Sequence, residues 1–180
     1  MRNLILVAFI EPVSDGLVFP RDDWPLHITL VRFDVDLQSG DADTSVDAGN
    51  DDGGGQSAGL ADRIAGLIDK PVRAALGSGL TIGEDAGFGR QGSVPVGLVQ
   101  PSRPLQELHE SLVGTVMELP GRVPTPQHIL DKYRPHVSHH GPKRPQPGDA
   151  VVLDRVALVD MAPDGNHSVR RILHLWELTK

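Results

Sequence analysis

Two short phrases carry the residue types of acid–base catalysis: His27-Ile28-Thr29 and His136-Val137-Ser138. Each sits in an apolar, strand-like run. A strand repeats every two residues, so the imidazole and the hydroxyl of each phrase share one face, while Ile28 or Val137 turns toward a core. Two such strands side by side would gather two titratable bases and two hydroxyl donors around one small anion. An imidazole with a pKa of about 6.5 can give or take a proton near neutrality. This is equipment for acid–base chemistry on a phosphodiester without a metal. Thr29 and Ser138 would donate to the non-bridging oxygens, and a nearby cation would offset the developing charge. Arg134, Lys132 and Arg90 are the candidates for that cation.

The bare pattern is weak, because a chain with 8 His meets it by chance about once. Context strengthens it. Both phrases closely follow a proline, Pro25 and Pro135, and they lie in opposite halves of the chain. The surrounding elements repeat as well. Leu4–Ile10 reads as a buried strand, residues 11–25 as a loop holding Pro12, Gly16, Pro20 and Pro25, and Leu26–Val35 as a second strand. Residues 58–76 space Leu60, Ile64, Leu67, Ile68, Val72 and Leu76 as a helix, with a possible break at Pro71. Leu80–Asp85 and Val94–Val99 read as a strand pair around a Gly-rich turn, and residues 104–118 as a helix with Pro104 in its first turn. Residues 119–132 read as a linker, Tyr133–His140 as the strand of the second phrase, and Val151–Met161 and Val169–Leu178 as closing strands. Each half thus holds strands, a helix and one histidine phrase, which points to an α+β protein of two related lobes.

Charge and composition narrow the partners. The net charge is −7, but Asp34, Asp36, Asp41, Asp43, Asp47, Asp51 and Asp52 cluster in a stretch without Lys or Arg. The rest of the chain is neutral, which argues against tight duplex DNA or RNA binding and permits a small nucleotide or an RNA end. Residues 37–57 read as a flexible acidic Gly/Asp-rich insertion. Cysteine is absent, so thiolate metal sites and disulfides are excluded. The apolar run Leu4–Ile10 is too short to span a bilayer and lacks a cleavage site, so a cytoplasmic protein with no membrane partner is expected.

The segments Trp24-Pro25-Leu26-His27-Ile28-Thr29-Leu30 and Tyr133-Arg134-Pro135-His136-Val137-Ser138 resemble the paired motifs of the 2H phosphoesterase superfamily, which includes 2′-5′ RNA ligases and RNA 2′,3′-cyclic phosphodiesterases. The resemblance spans nearly the whole chain, with Val35–Ser57 as an insertion. It implies a bilobal fold, two pseudo-twofold-related antiparallel sheet lobes with flanking helices and a central groove where both histidines meet. It implies opening of a 2′,3′-cyclic phosphodiester to a 2′-phosphate, with 2′-5′ ligation as the reverse reaction; a monomer without a cofactor is expected. Ser138 replaces the commoner Thr and keeps the hydroxyl. His139 stands where the family carries an apolar residue facing away from the groove, and His140 shares the strand face of His136.

Other residues have plainer readings. His109 is expected solvated on its helix, and His128, His167 and His174 structural or at the surface. Arg134 is a phosphate contact or an ordinary surface charge. Tyr133 and Phe88 stack on a base or fill the core. A zinc hydrolase using His27, His136, His139 and His140 is a weaker alternative, because His136 and His139 point to opposite strand faces. A noncatalytic module binding nucleotides or RNA ends through the same groove is another.

Overall fold

A computed structural model describes residues 1–36 and 54–179, with side chains in the second stretch from residue 59. Ten strands and two helices follow in order: β1 (Arg2–Phe9), β2 (Val18–Pro20), β3 (His27–Val35), α1 (Gly54–Ala75), β4 (Gly79–Phe88), β5 (Val94–Val99), α2 (Arg103–Met117), β6 (Gly121–Arg122), β7 (His136–Ser138), β8 (Ala150–Val152), β9 (Arg155–Asp160) and β10 (Val169–Glu177). The insertion expected over 37–57 lies outside the described residues up to 53; helix α1 already occupies 54–57.

The strands form one antiparallel sheet in the order β2-β10-β9-β1-β3-β7-β5-β4-β8, with β6 added on β3. Strands β2, β10, β9, β1 and β3 form one lobe and β7, β5, β4 and β8 the other. They join where β3 pairs with β7.

Strand β1 is covered on both faces, so its apolar residues run nearly unbroken. Leu4, Leu6 and Ala8 enter the main core with Ile28, Leu30 and the buried stripes of both helices. Ile5, Val7 and Phe9 turn the other way and pack with Phe19, Trp24, Ala157, Val159 and Ile172. Both helices therefore serve one sheet face, and the opposite face is left to a smaller aromatic cluster beside His27. Helix α2 starts at Ser102, whose hydroxyl accepts from the Leu105 N–H at 3.3 Å. Trp176 on β10 is buried and donates its indole N–H to Asp69 of α1 at 3.1 Å.

Four local expectations are corrected. Helix α1 runs unbroken through Pro71. The proline removes the N–H that the Leu67 carbonyl would accept, and Leu67 is on an exposed side, 52% accessible, where water can replace it. Val151–Met161 is two strands, because Leu153 turns into the core and separates β8, which pairs β4, from β9, which pairs β1. The second phrase occupies three strand residues, His136–Ser138, preceded by a tight helical turn at Leu130–Lys132. Val18–Pro20, expected as loop, adds an edge strand to β10. Among the described residues no helix is long and apolar enough to cross a membrane.

Candidate active site

Ile28 and Val137 are direct partners where β3 meets β7, and the two strands are antiparallel. That register sets His27 opposite Ser138 and Thr29 opposite His136. The two histidines are then diagonal neighbours, with backbones about 7–8 Å apart by strand geometry. Ile28 and Val137 are buried in the helix-side core, so the four polar residues share the other face. The sequence-predicted His27, Thr29, His136 and Ser138 thus lie around one local twofold, centred on the rung between the lobes.

The two imidazoles are anchored alike. His27 Nδ1 lies 2.8 Å from the Pro25 carbonyl, and His136 Nδ1 lies 2.8 Å from the Arg134 carbonyl. A carbonyl only accepts, so Nδ1 carries the proton in both rings and Nε2 is left bare. The prolines noted at Pro25 and Pro135 favour the extended backbone that precedes each ring. His27 is packed against Trp24, with ring centroids 4.5 Å apart, and against the edge of Phe9 at 6.0 Å. His136 meets Phe88 edge-on at 4.3 Å, and the Arg134 guanidinium lies 4.9 Å over the Phe88 ring.

Burial lowers both histidines. His27 is pushed down to about 4, chiefly by desolvation; the Pro25 carbonyl opposes this, and the charges of His140 and His136 add to it. His136 also falls below its ordinary value, first by burial and then through Arg134 and His128, against the pull of the Arg134 carbonyl. His140 thus borders the His27 side. There Glu11 accepts from the Leu26 N–H at 2.6 Å and pairs with Lys143 at 2.9 Å, while Lys143 also donates to the Trp24 carbonyl. This clamp ties the turn after β7 to the segment carrying His27.

A cavity of about 590 Å³ opens beside His136. Thr29, Val31, Arg32, Phe88, His128, Ile129, Lys132, Tyr133 and Arg134 are in its wall. The end of the β4–β5 hairpin closes one side through Gly87 and Gly89. A Cβ on Gly87 would stand 2.6 Å from the Gly92 carbonyl oxygen, so this close turn needs glycine. Arg90 is exposed at the hairpin tip, next to that wall and outside it.

One group behaves differently from the sequence reading, and a second is settled among its alternatives. His109, expected solvated, is 1% accessible. It lies four residues after Leu105 and three before Leu112, on the buried stripe of α2. Its Nδ1 is 2.6 Å from the Leu30 carbonyl, and its Nε2 accepts from the Leu130 N–H at 2.8 Å. Both bonds together require the neutral ring, and burial lowers its pKa accordingly. Tyr133 stacks face-on against His109 at 3.7 Å and donates its hydroxyl to the Thr29 carbonyl at 2.7 Å. One ring face and the hydroxyl are therefore spent inside the protein, although Tyr133 still reaches the cavity wall.

These contacts meet a need created by β3 itself. The β1–β3 register slips between Leu6 and Val7, which pair with Val31 and Thr29 and leave Leu30 as an extra residue. The bulge lets both Leu30 and Val31 enter the core and brings Arg32 to the face of Thr29. His109 and Tyr133 take the Leu30 and Thr29 carbonyls beside it. Sequence alternation shows β3 as a strand but gives no signal of such a bulge.

His139 turns away from the histidine pair and is nearly buried, with its Nε2 lacking a hydrogen-bond partner and 3.7 Å from Asp85. Asp85 is held instead by Arg144 at 2.6 Å. Replacing His139 with leucine removes a desolvated polar atom and is expected to leave the thermal midpoint unchanged or raised, by up to about 1 kcal/mol in stability. A clear fall in the midpoint would show that the Asp85 contact matters. Among the described residues no group of three or more His, Cys, Asp or Glu side chains is gathered as a metal site requires.

Fold and geometry together define a two-lobed α+β protein whose two His-x-Thr/Ser strands meet at the junction of the lobes. Comparison with solved structures shows the same fold. A crystal structure of a phosphoesterase is similar, with 16% identity, a TM-score of 0.53 and coverage of 99% of each chain. Escherichia coli LigT complexed with NADP+ is similar at 16% identity and a TM-score of 0.50, over 99% of this chain and 98% of that one. No protein-family model and no curated protein matches the sequence.

Proposed function

We propose that this chain is a metal-independent phosphoesterase that hydrolyses a 2′,3′-cyclic phosphodiester on a small nucleotide or an RNA end, with His27 and His136 as its acid–base pair. The observation that supports it most is the matched anchoring of the two imidazoles, each with a bare Nε2, on diagonal positions of one sheet face. In the reaction, water attacks phosphorus in line with the departing sugar oxygen. One Nε2 takes the proton of the water, the phosphorus–oxygen bond to the ribose breaks, and the other imidazole, protonated at Nε2, gives its proton to that oxygen. The product is a nucleoside monophosphate, the 2′-phosphate when the 3′ oxygen leaves. Thr29 and Ser138, on the same face, donate to the non-bridging oxygens, and Arg134 beside His136 offsets the added charge. Arg90 at the hairpin tip and Tyr133 in the cavity wall approach the nucleoside.

The test is turnover of adenosine 2′,3′-cyclic phosphate with EDTA present and the product identified by NMR. Binding without turnover would make the chain a nucleotide-binding module, and activity that requires added zinc would overturn the two-histidine mechanism. The pH dependence adds a second check. One imidazole must be neutral and the other charged, so kcat/KM follows a bell. With His27 near 4 and His136 below 6.5, its maximum lies between those values, on the acid side of neutrality. A rate that stays flat from about pH 5 to about pH 9 would defeat the pairing.

A further inference from the structure

The chain carries a net charge of −7, yet the cavity wall carries Arg32, Lys132 and Arg134 and, among the described residues, no carboxylate. Arg134 and Lys132 stand near His136 in sequence. Arg32 stands apart, roughly 7–10 Å along β3 from Thr29 by strand rise. The bulge at Leu30 is what brings it to this face; without that extra residue Arg32 would point to the helices. Its Nε donates to Asn3 at 3.2 Å, and the rest of the guanidinium is exposed.

A second arginine, Arg170 of β10, lies outside the cavity wall on the same sheet face and close enough to Arg32 for their charges to interact. Ile5, the partner of Arg32, precedes by one rung the row formed by Asn3 of β1, Met161 after β9 and Arg170 of β10. Met161 is part of the cavity wall, and Arg170 Nη1 donates to the carbonyls of Met161, His167 and Val169. These bonds hold the guanidinium in place, with its Nε buried and without a partner. The nearby carboxylates are already engaged: Asp160 pairs with Arg2, and Asp22 with Arg21. Among the described residues neither Arg32 nor Arg170 has a carboxylate in ion-pair contact. Burial, then repulsion from Arg21 and Arg32, lowers the Arg170 pKa against the weaker pull of Asp22 and Asp160. Like charges gathered at a cavity end favour an anion that relieves them.

We propose that Arg32 and Arg170 form a second anion subsite, which takes the 5′-phosphoryl group of a nucleotide whose cyclic phosphate lies between His27 and His136. This rests on the function proposed above and narrows its substrate class. A cyclic nucleotide with a 5′-phosphate, free or as the linkage to an upstream nucleotide, is preferred over one with a 5′-hydroxyl.

The experiment compares kcat/KM for adenosine 2′,3′-cyclic phosphate, its 5′-phosphorylated form and the dinucleotide ending in the same cyclic phosphate. The wild type should favour the 5′-phosphorylated form at least about tenfold, the scale of one charge-assisted contact. Arg32→Gln and Arg170→Gln should bring that ratio close to one, and Arg63→Gln, on the exposed side of α1, should keep it. Equal preference for the dinucleotide assigns the subsite to RNA ends; preference for the monoester alone assigns it to mononucleotides. A wild-type ratio near one, or a ratio that survives Arg32→Gln, overturns the subsite while leaving the phosphoesterase reading intact. If no cyclic substrate is turned over, the phosphoesterase reading falls. Calorimetric binding of adenosine 2′-phosphate against adenosine 2′,5′-bisphosphate then decides the subsite by the same ratio.

Discussion

Replacing either His27 or His136 with alanine is expected to lower turnover of a 2′,3′-cyclic nucleotide by at least about a hundredfold, the usual scale for a positioned acid or base. On the proposed mechanism the loss falls on kcat more than on KM, because Thr29, Ser138 and the cavity would still hold the substrate. If the two rings act in one proton-transfer cycle, as proposed, the double substitution should be little worse than the worse single one. Asparagine at either position is the stricter variant. Its side-chain amide can still donate to the carbonyl of Pro25 or Arg134 but cannot shuttle a proton, so it should be as inactive as alanine while melting near the wild-type temperature. Turnover close to wild type in either single variant, with the fold shown intact by circular dichroism, would remove the histidine pair from the mechanism.

The largest effect on stability is expected from His109→Leu. Leucine fills much of the space but satisfies neither the Leu30 carbonyl nor the Leu130 N–H. The buried Leu30 carbonyl left unpaired costs about 1–3 kcal/mol and the part-buried Leu130 N–H costs less, so a loss of about 2–4 kcal/mol is expected in urea unfolding. Leu130 adds to the cost: it holds a left-handed φ of 59°, unusual for leucine, and its carbonyl accepts from Gln106 at 2.9 Å. Helix α2 thus pins both polar groups of a strained residue in the turn that walls the cavity. Acid should weaken the same lock. The folded protein disfavours the charged form of His109, as of His27 and His136, so the unfolded chain binds more protons once the pH drops below 6.5. Stability contributed by these rings is present above 6.5 and is lost as the pH falls toward their lowered folded values. Glu11, also lowered, adds a loss of the same sign below 4.5. The melting temperature should therefore fall between about pH 7 and about pH 5, and fall less steeply in His109→Leu. A midpoint that rises on acidification would contradict this account.

Much of the site was legible in the chain because period-2 alternation and local prolines are local signals. His27, Thr29, His136 and Ser138 could be assigned to one kind of strand face from spacing alone, and the α2 stripe from Leu105 to Val116 could be read from its period. Two things lay beyond such signals. The bulge at Leu30 is set by how β1 and β3 pair, and so is the reach of Arg32. His109 sits on a buried stripe, and its polarity pointed the other way; only its two backbone partners, from β3 and from the turn at Leu130, make its burial affordable. Tyr133 was open between core and ligand contact because its hydroxyl partner, the Thr29 carbonyl, is 104 residues away in the chain.

The Ile28–Val137 rung has a consequence for how this chain tolerates insertions and deletions. Sliding β7 by a single position would exchange His136 and Ser138 for Pro135, Val137 and His139 on the working face, turning the ring and the hydroxyl inward in one event. The spacer from Tyr133 to His136 is for that reason a counted length. Adding or removing one residue there should abolish the proposed activity even where the helices and most of the sheet still assemble.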